Sequence, residues 1–332
     1  GDFSIMWVFL AKRIGIGLIT IWALSLFSFI LIQLPKGDYV TSEMIALQME
    51  GENVTDEELE NLRIYFGLDK PTHMQYLSWI GNMMRGNLGY SFAQRTPVND
   101  ILGQRLLLTV LYAVTTVVFI WVVAIPIGIL SAVRQYSFAD YSFTTLGFIG
   151  VAVPDFLLAL LFLWLGFVFF GVSMGGLFSP EFVDAPWNLA RIWDLTKHLF
   201  IPIIVLGTSG TASLIRIVRA NLLDELHKPY VVAARARGLR EWRLIIKYPV
   251  RLALNPAVSL TAYIFPFLIS GSVIVSVVLS LPTIGPTLLQ SLLEQDLQLA
   301  GAIIFLVGVM TVVGTLISDI LLGLLDPRIR QA

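Results

Sequence analysis

Long uncharged runs broken by short polar connections set the character of this chain, and most of the runs are as long as a membrane is thick. Residues 14–34 are 21 positions without a charge. As a helix rising about 1.5 Å per residue they reach roughly 30 Å, the depth of a bilayer's hydrocarbon layer. The pattern predicts a first span there, a second over 106–133, and a third over 141–173 interrupted only by Asp155 after Pro154. Residues 199–215 predict a shorter fourth. Residues 252–293 carry no charge over 42 positions, too many for one helix, and Pro282 and Pro286 must break the run at one membrane face. A fifth span followed by a loop or re-entrant piece is expected, and 297–318 predicts a sixth. The first run exceeds the roughly 7–15-residue apolar stretch of a cleaved signal peptide, so a retained span is expected.

Charge then orients the spans. Six crossings put both termini on one side. If that side is the cytoplasm, it holds Lys12, Arg13, Arg134, Arg328, Arg330 and the nine basic residues from Arg216 to Arg251, 14 of the 22 in the chain. The reverse orientation violates the positive-inside rule. Residues 35–104, expected outside, carry ten carboxylates against five basic residues. Composition agrees with a lipid solvent: 56% of residues are hydrophobic, 12% aromatic, and mean hydropathy is +0.79. The fold class expected is an all-α integral membrane protein of six transmembrane helices. In chain order, residues 1–35 form the cytoplasmic N-terminus and first span, 36–104 an outer segment, 105–323 a five-helix core with a loop at 216–251, and 324–332 a cytoplasmic tail.

Several chemistries are excluded. With 22 basic and 23 acidic residues there is no basic excess for nucleic acid. No cysteine means no disulfide, thiolate metal site or cysteine nucleophile. No Gly-x-x-x-x-Gly-Lys-Ser/Thr cradle exists for ATP, and His73, His198 and His227 have no metal-ligand spacing. The Gly-Thr-Ser-Gly-Thr-Ala-Ser run at 207–213 lacks the order of a hydrolase elbow and reads as a small-residue packing surface, which disfavours an intramembrane hydrolase. Asp155 is the one carboxylate well inside a span. Intramembrane acids are functional by default, but directly after Pro154 an acid can cap a restarting helix, and the cap is the favoured reading.

Two polar regions remain. In the outer segment, Thr55 to Glu58 fits a capping box ahead of Leu59, Leu62 and Phe66, with Gly67 as the stop. A second helix is expected from about Met74 to Met84, presenting Leu77, Ile80 and Met84. These helices suit a cover that lies on the membrane surface or packs over the mouth of the bundle. The other region is residues 229–247, where five basic residues accompany Ala233, Ala234, Ala236 and Gly238. Charge alone fits a stripe of Arg237, Arg240, Arg243 and Lys247 on anionic headgroups. The small residues point instead to a short helix that lets another backbone approach closely and ends at a glycine able to turn left-handed.

Tyr230-Val-Val-Ala-Ala-Arg-Ala-Arg-Gly-Leu239, followed by Arg251-Leu-Ala-Leu-Asn-Pro256, resembles the coupling motif of importer-type ABC permeases in its dipeptide and oligopeptide version. Val232 stands where the wider family pattern has Glu, with Ala233, Ala234 and Gly238 matching. Gly67-Leu-Asp-Lys-Pro71, Gln75-Tyr-Leu77 with Trp79, Gly86-Asn-Leu-Gly-Tyr-Ser91 before Pro97, Leu34-Pro-Lys-Gly-Asp38 and Leu325-Asp-Pro-Arg-Ile-Arg330 extend the likeness along nearly the whole chain. Ser276 departs from it, standing where many relatives carry an acid.

The resemblance implies a type I ABC importer permease core in a bacterial or archaeal inner membrane, surrounded by lipid. It implies as partners a second homologous permease, two cytoplasmic ATPases and an extracytoplasmic substrate-binding protein. ATP and Mg would be bound by the ATPases and no cofactor by this chain, which is not an enzyme. Tyr230, Ala233, Ala234, Arg235, Ala236, Arg237, Gly238 and Leu239 would form the ATPase-coupling helix. Cargo in this family includes peptides, oligosaccharides and metal chelates. A self-sufficient channel or secondary transporter is the rival, and would show inverted repeats or several intramembrane charges.

Overall fold

The computed structural model describes residues 2–34, 60, 61, 64, 69–91, 93–171, 175–268 and 273–325, with the backbone alone at 2–6, 170, 261–266, 324 and 325. Helices dominate them: α1 (Asp2–Gln33), α2 (Thr72–Met84), α3 (Val98–Val133), α4 (Phe138–Ala152), α5 (Asp155–Phe170), α6 (Leu189–Leu226), α7 (Pro229–Ala236), α8 (Glu241–Lys247), α9 (Pro249–Ala253), α10 (Asn255–Pro266), α11 (Val273–Val278), α12 (Ile284–Leu293) and α13 (Leu297–Leu325). One short hairpin, β1 (Tyr90–Ser91) against β2 (Thr96–Pro97), is antiparallel with Tyr90 opposite Pro97.

Four helices are long and apolar enough to cross a bilayer alone, namely α1 from Trp7, α3, α6 and α13. Three of the expected spans differ from their sequence reading. The third is two helices, α4 and α5, meeting at 98°. Pro154 cannot donate to the ladder and pushes Val153 to an extended conformation, so the run breaks there. The fourth is not short: α6 covers 38 residues. Its first turns hold charges that are paired or stacked rather than solvated. The Arg191 guanidinium lies 4.7 Å from the Phe178 ring centre and 4.5 Å from that of Trp187, and donates to the Val183 and Ala185 carbonyls. Asp194 accepts from the Ser179 N–H and hydroxyl, each at 2.7 Å. The expected fifth span is no single described helix. It runs as α10, a wide turn to Leu268 and, after residues 269–272, α11.

Packing divides the chain into two units. One comprises residues 1–17, 106–286 and 310–332, the other 18–105 and 287–309. In the second unit the described outer segment is held from within. Tyr76 Oη pairs with Ser25 Oγ at 2.8 Å, the Phe29 ring stands 5.4 Å from Tyr76 and 5.9 Å from Trp79, and Trp79 meets Phe305 at 5.8 Å. The packed face of α2 is therefore Tyr76, Trp79 and Met83, while Leu77 and Met84 of the expected face are exposed. The aromatic side chains take the inside because they bury more area than Leu77 offers, and Tyr76 finds a hydroxyl partner there. Asp296 accepts from Ser91 Oγ at 2.5 Å and from the Leu299 N–H at 3.1 Å, tying the hairpin to the start of α13. The capping box at residues 55–58 with its helix to Gly67, and the motif stretches at 35–38 and 326–330, lie outside the described residues.

In the first unit, α3, α4 and α6 pack around small residues. An added Cβ at Gly207 would stand 2.8 Å from the Phe119 ring, and one at Gly210 would stand 2.7 Å from Ile120 Cδ1. The small-residue run of α6 is thus a close-packing surface, as its sequence predicts.

Candidate functional site

The loop after α6 begins with Lys228 in an extended conformation and Pro229 at the first helical position, where a missing N–H costs nothing. α7 lasts two turns and ends through Arg237 at Gly238, whose φ of +78° is left-handed backbone that a side chain would strain. Its inner side is Val231, fully buried against Ala132, Leu222, Leu244, Ile245 and Val250, with Tyr230 and Ala234 packed on the same cluster. Glu225 fixes the entry: Tyr230 Oη donates to it at 2.5 Å and Lys228 Nζ at 2.6 Å. Burial and that carboxylate raise the Tyr230 hydroxyl's pKa above its usual value. Arg235 closes the turn onto α8 with a two-pronged contact to Glu241, at 2.7 and 3.1 Å. The hydrogen bond from Arg235 holds the Glu241 carboxyl below its usual range.

Among the described residues the outer side has no such partners. Val232, Ala233, Ala236, Leu239, Trp242 and Ile246 are exposed, Val232 and Trp242 each at 54%. Nothing lies within 4 Å of a Cβ added at Gly238. Spacing i, i+1 and i+4 puts Val232, Ala233 and Ala236 on one helical face. Ala234, expected in that face, turns inward instead, because Val231 and Ala234 at i and i+3 share the buried side. Arg237, Arg240, Arg243 and Lys247 are exposed beside the apolar face. The loop is thus anchored behind and, among the described residues, open in front.

Asp140 and Arg219 were not singled out by the sequence reading. Arg219 donates Nε to Asp140 Oδ1 at 2.7 Å and Nη2 to Oδ2 at 2.8 Å, and the Tyr136 N–H adds a third bond at 3.0 Å. Ser137 caps α4 by accepting from the Asp140 N–H at 3.2 Å. The pair joins the start of α4 to α6 two turns before the loop. The signal available in sequence was Ser137-x-x-Asp140, a capping arrangement that also aims an acid at the neighbouring helix.

Asp155 occupies the first position of α5 rather than its cap. The Leu157 and Leu158 N–H groups bond to the Pro154 carbonyl, and the Asp155 carboxylate accepts from Ser209 Oγ of α6 at 3.5 Å. The cap reading is replaced by a contact between helices. Ser209, Gly210 and Ser213 line a cleft of about 200 Å³ with Ile120, Ile217 and Phe267. No histidine reaches these serines: His198 Nδ1 meets the Asp194 carbonyl at 2.9 Å and His227 Nδ1 that of Leu223 at 2.7 Å. Among the described residues no group of three or more His, Asp or Glu could hold a metal ion. Ser276, at the position of the departure, is buried and its hydroxyl has no described partner.

Comparison with known proteins bears on this arrangement as a whole. Residues 124–331 match the family described as binding-protein-dependent transport system inner membrane component, and residues 6–115 match its N-terminal companion. The oligopeptide transport system permease protein AppB of Bacillus subtilis is 33% identical over 325 residues, covering 98% of this chain and 99% of the relative. A putative peptide permease protein of Brucella ovis is 31% identical over 326 residues, with 96% and 97% covered. The dipeptide transport system permease protein DppB of Escherichia coli is 30% identical over 340 residues, with 97% and 98% covered. The chain therefore belongs to the binding-protein-dependent transport system inner membrane components, the non-enzymatic, membrane-embedded permease subunits of ABC importers, whose ATP hydrolysis resides in partner subunits.

Proposed function

We propose that this chain forms half of a peptide-import path and that two ATPases drive it by docking on the exposed face of α7 and α8. The observation that carries the docking is the contrast within one short helix: Val231 is fully buried while Val232 and Ala233 are open to solvent. A piston moved by a partner needs both a rigid seat and a free face. The other partners are a second, similar permease and an external binding protein that delivers cargo, while ATP and Mg belong to the ATPases and no cofactor to this chain. Peptide is the cargo favoured by the names of the relatives.

Contacts within the first unit support six crossings with the ends of the first and last helices on the side of the basic loop, which the positive-inside rule assigns to the cytoplasm. The ends of α3 and α6 share one core through Ala132 and Leu222, and the Asp140–Arg219 pair puts the start of α4 at the same end. The bent pair α4–α5 then carries the chain across so that α6 can return. Ser318 Oγ donates to the Val258 carbonyl at 2.9 Å, and Arg13 Nη1 lies 3.3 Å from Asp319 Oδ2. The end of α13 thus meets the starts of α10 and α1, which requires one further crossing over residues 255–296. Cysteines at Glu181 and at Glu241 in this cysteine-free chain test the orientation: the first should react with an impermeant thiol reagent on intact cells, the second only after permeabilisation.

Function is tested by reconstituting the chain with its partner subunits in vesicles and measuring uptake of labelled tripeptide. Uptake is expected only with ATP and binding protein. Uptake without nucleotide establishes a self-sufficient channel or secondary transporter instead.

A further inference from the structure

We propose that Asp155, with the serine face of α6, is an ammonium-binding station on the translocation path, an inference that rests on the peptide-import reading. Ser209 lies 20 residues after the start of α6 and 17 before its end, about 30 and 26 Å from the two termini. That is the depth at which a carboxylate is most costly and most in need of an explanation. The explanation supplied by local structure fails, since the first N–H groups that Asp155 could cap bond to the Pro154 carbonyl. Among the described residues the carboxylate has one partner, the Ser209 hydroxyl at 3.5 Å, and no cation. A neutral donor at that distance compensates little of the desolvation of a charge.

Ser209 is itself a wall of the 200 Å³ cleft, and Ser213, one turn on, opens to it with no described hydrogen-bond partner. The remaining walls are apolar, with Ile120, Ile217, Leu260 and Phe267 among them. A carboxylate that meets one hydroxyl of an apolar cleft, Ser209, with a second hydroxyl, Ser213, in the same wall, is complementary to a primary ammonium, which has three donors and no acceptor. Peptides carry such a group at the amino terminus and on lysine side chains. One charge-assisted contact flanked by apolar wall holds the cargo briefly without trapping it, as passage through a membrane requires.

The test uses Ser213→Cys in the complete transporter complex, with labelling read on this chain by mass spectrometry. Thiosulfonate reagents of matched size carry either an ammonium or a sulfonate group. The ammonium reagent is expected to react at least about tenfold faster, and Asp155→Asn to abolish that preference while leaving the rate with a neutral reagent unchanged. If Asp155→Asn does not assemble, Asp155→Ser serves the same comparison. Trialanine should slow labelling by the neutral reagent and N-acetyl-trialanine should not. Protection by an N-acetylated peptide containing lysine assigns the station to any primary ammonium, and its absence to the amino terminus alone. A missing charge preference, one that survives loss of the carboxylate, or equal protection by both trialanines overturns the proposal. Failure of ATP-driven tripeptide uptake overturns the peptide reading separately, because the reagent preference at position 213 does not depend on cargo.

Discussion

Two runs of small residues, 207–213 in the middle of α6 and 233–238 after its end, look alike on paper and are opposites in space. In the first, each glycine has a neighbour: Gly207 faces Phe119 and Gly210 faces Ile120, both closer than a Cβ tolerates. In the second, Ala233, Ala236 and Gly238 are exposed, and among the described residues nothing stands within 4 Å of a Cβ added at Gly238. Smallness matched by a contact is explained by the fold. Smallness without one among the described residues is what the proposed docking would explain.

The comparison breaks most visibly at Gly210. Gly210→Leu places a side chain where even Cβ would lie 2.7 Å from Ile120, and overpacking of this kind costs about 1–3 kcal/mol or more. We expect little folded protein and an early melting transition by size-exclusion chromatography and fluorescence. A normal melting temperature would mean that α3 and α6 do not pack as closely as described.

Asp140→Asn should come next. It leaves the Arg219 guanidinium without its counter-ion, and removing one partner of a buried pair typically costs about 3–5 kcal/mol. Arg219 keeps some solvent, with 25% of its side chain exposed, so a loss near the lower end is expected. The pair is the link between the two small-residue runs, so transport should fall further than the melting temperature implies. If transport and stability fall in proportion, the pair only holds the helices together.

Ala233→Leu sharpens the other half. On an exposed face it should change stability by no more than about 0.5 kcal/mol, yet reduce co-purification of the ATPases at least tenfold. Ala234→Leu faces the Val231 cluster and should do the reverse, lowering the melting temperature before it affects docking. Equal behaviour of the two variants would remove the distinction between the seat and the face of α7.

Uncharged length revealed most of the fold, because a run of apolar residues as long as a bilayer is thick has few other uses. It failed where charges were hidden by partners. The Arg191 and Asp194 side chains helped to start the expected fourth span too late, since counting charges cannot see a guanidinium stacked between Phe178 and Trp187. It also failed at Pro154, which marked a break without giving its 98° angle. In the loop after α6, sequence supplied the residues and the left-handed stop at Gly238, but assigned Ala233 and Ala234 to one face. Separating them needs the phase of the helix, which a core contributed by α3, α6 and α8 decides. Asp155 was read from its neighbour in sequence, Pro154, whereas its partner Ser209 is 54 positions away.

The smallest effect is expected from the charges around the docking face. Arg235 and Glu241 are each about half exposed, and solvent screens such pairs until little of their attraction remains. Glu241 is depressed by its hydrogen bond from Arg235, so its contribution is fully present above the ordinary carboxylate range, about pH 4.3, and is lost as pH falls through the lower folded value. Between pH 6 and pH 8 nothing in this pair titrates. Glu241→Gln, Arg240→Ala and Arg243→Ala should therefore each change ATPase co-purification less than twofold, with no pH dependence over that interval, while Ala233→Leu changes it at least tenfold. A stripe built for anionic headgroups requires the opposite ranking, because each lost arginine would weaken membrane attachment and a leucine in place of Ala233 would not. Arginine variants that release the ATPases more completely than Ala233→Leu would assign the surface to charge, and the empty space beside Gly238 would then have no partner to explain it.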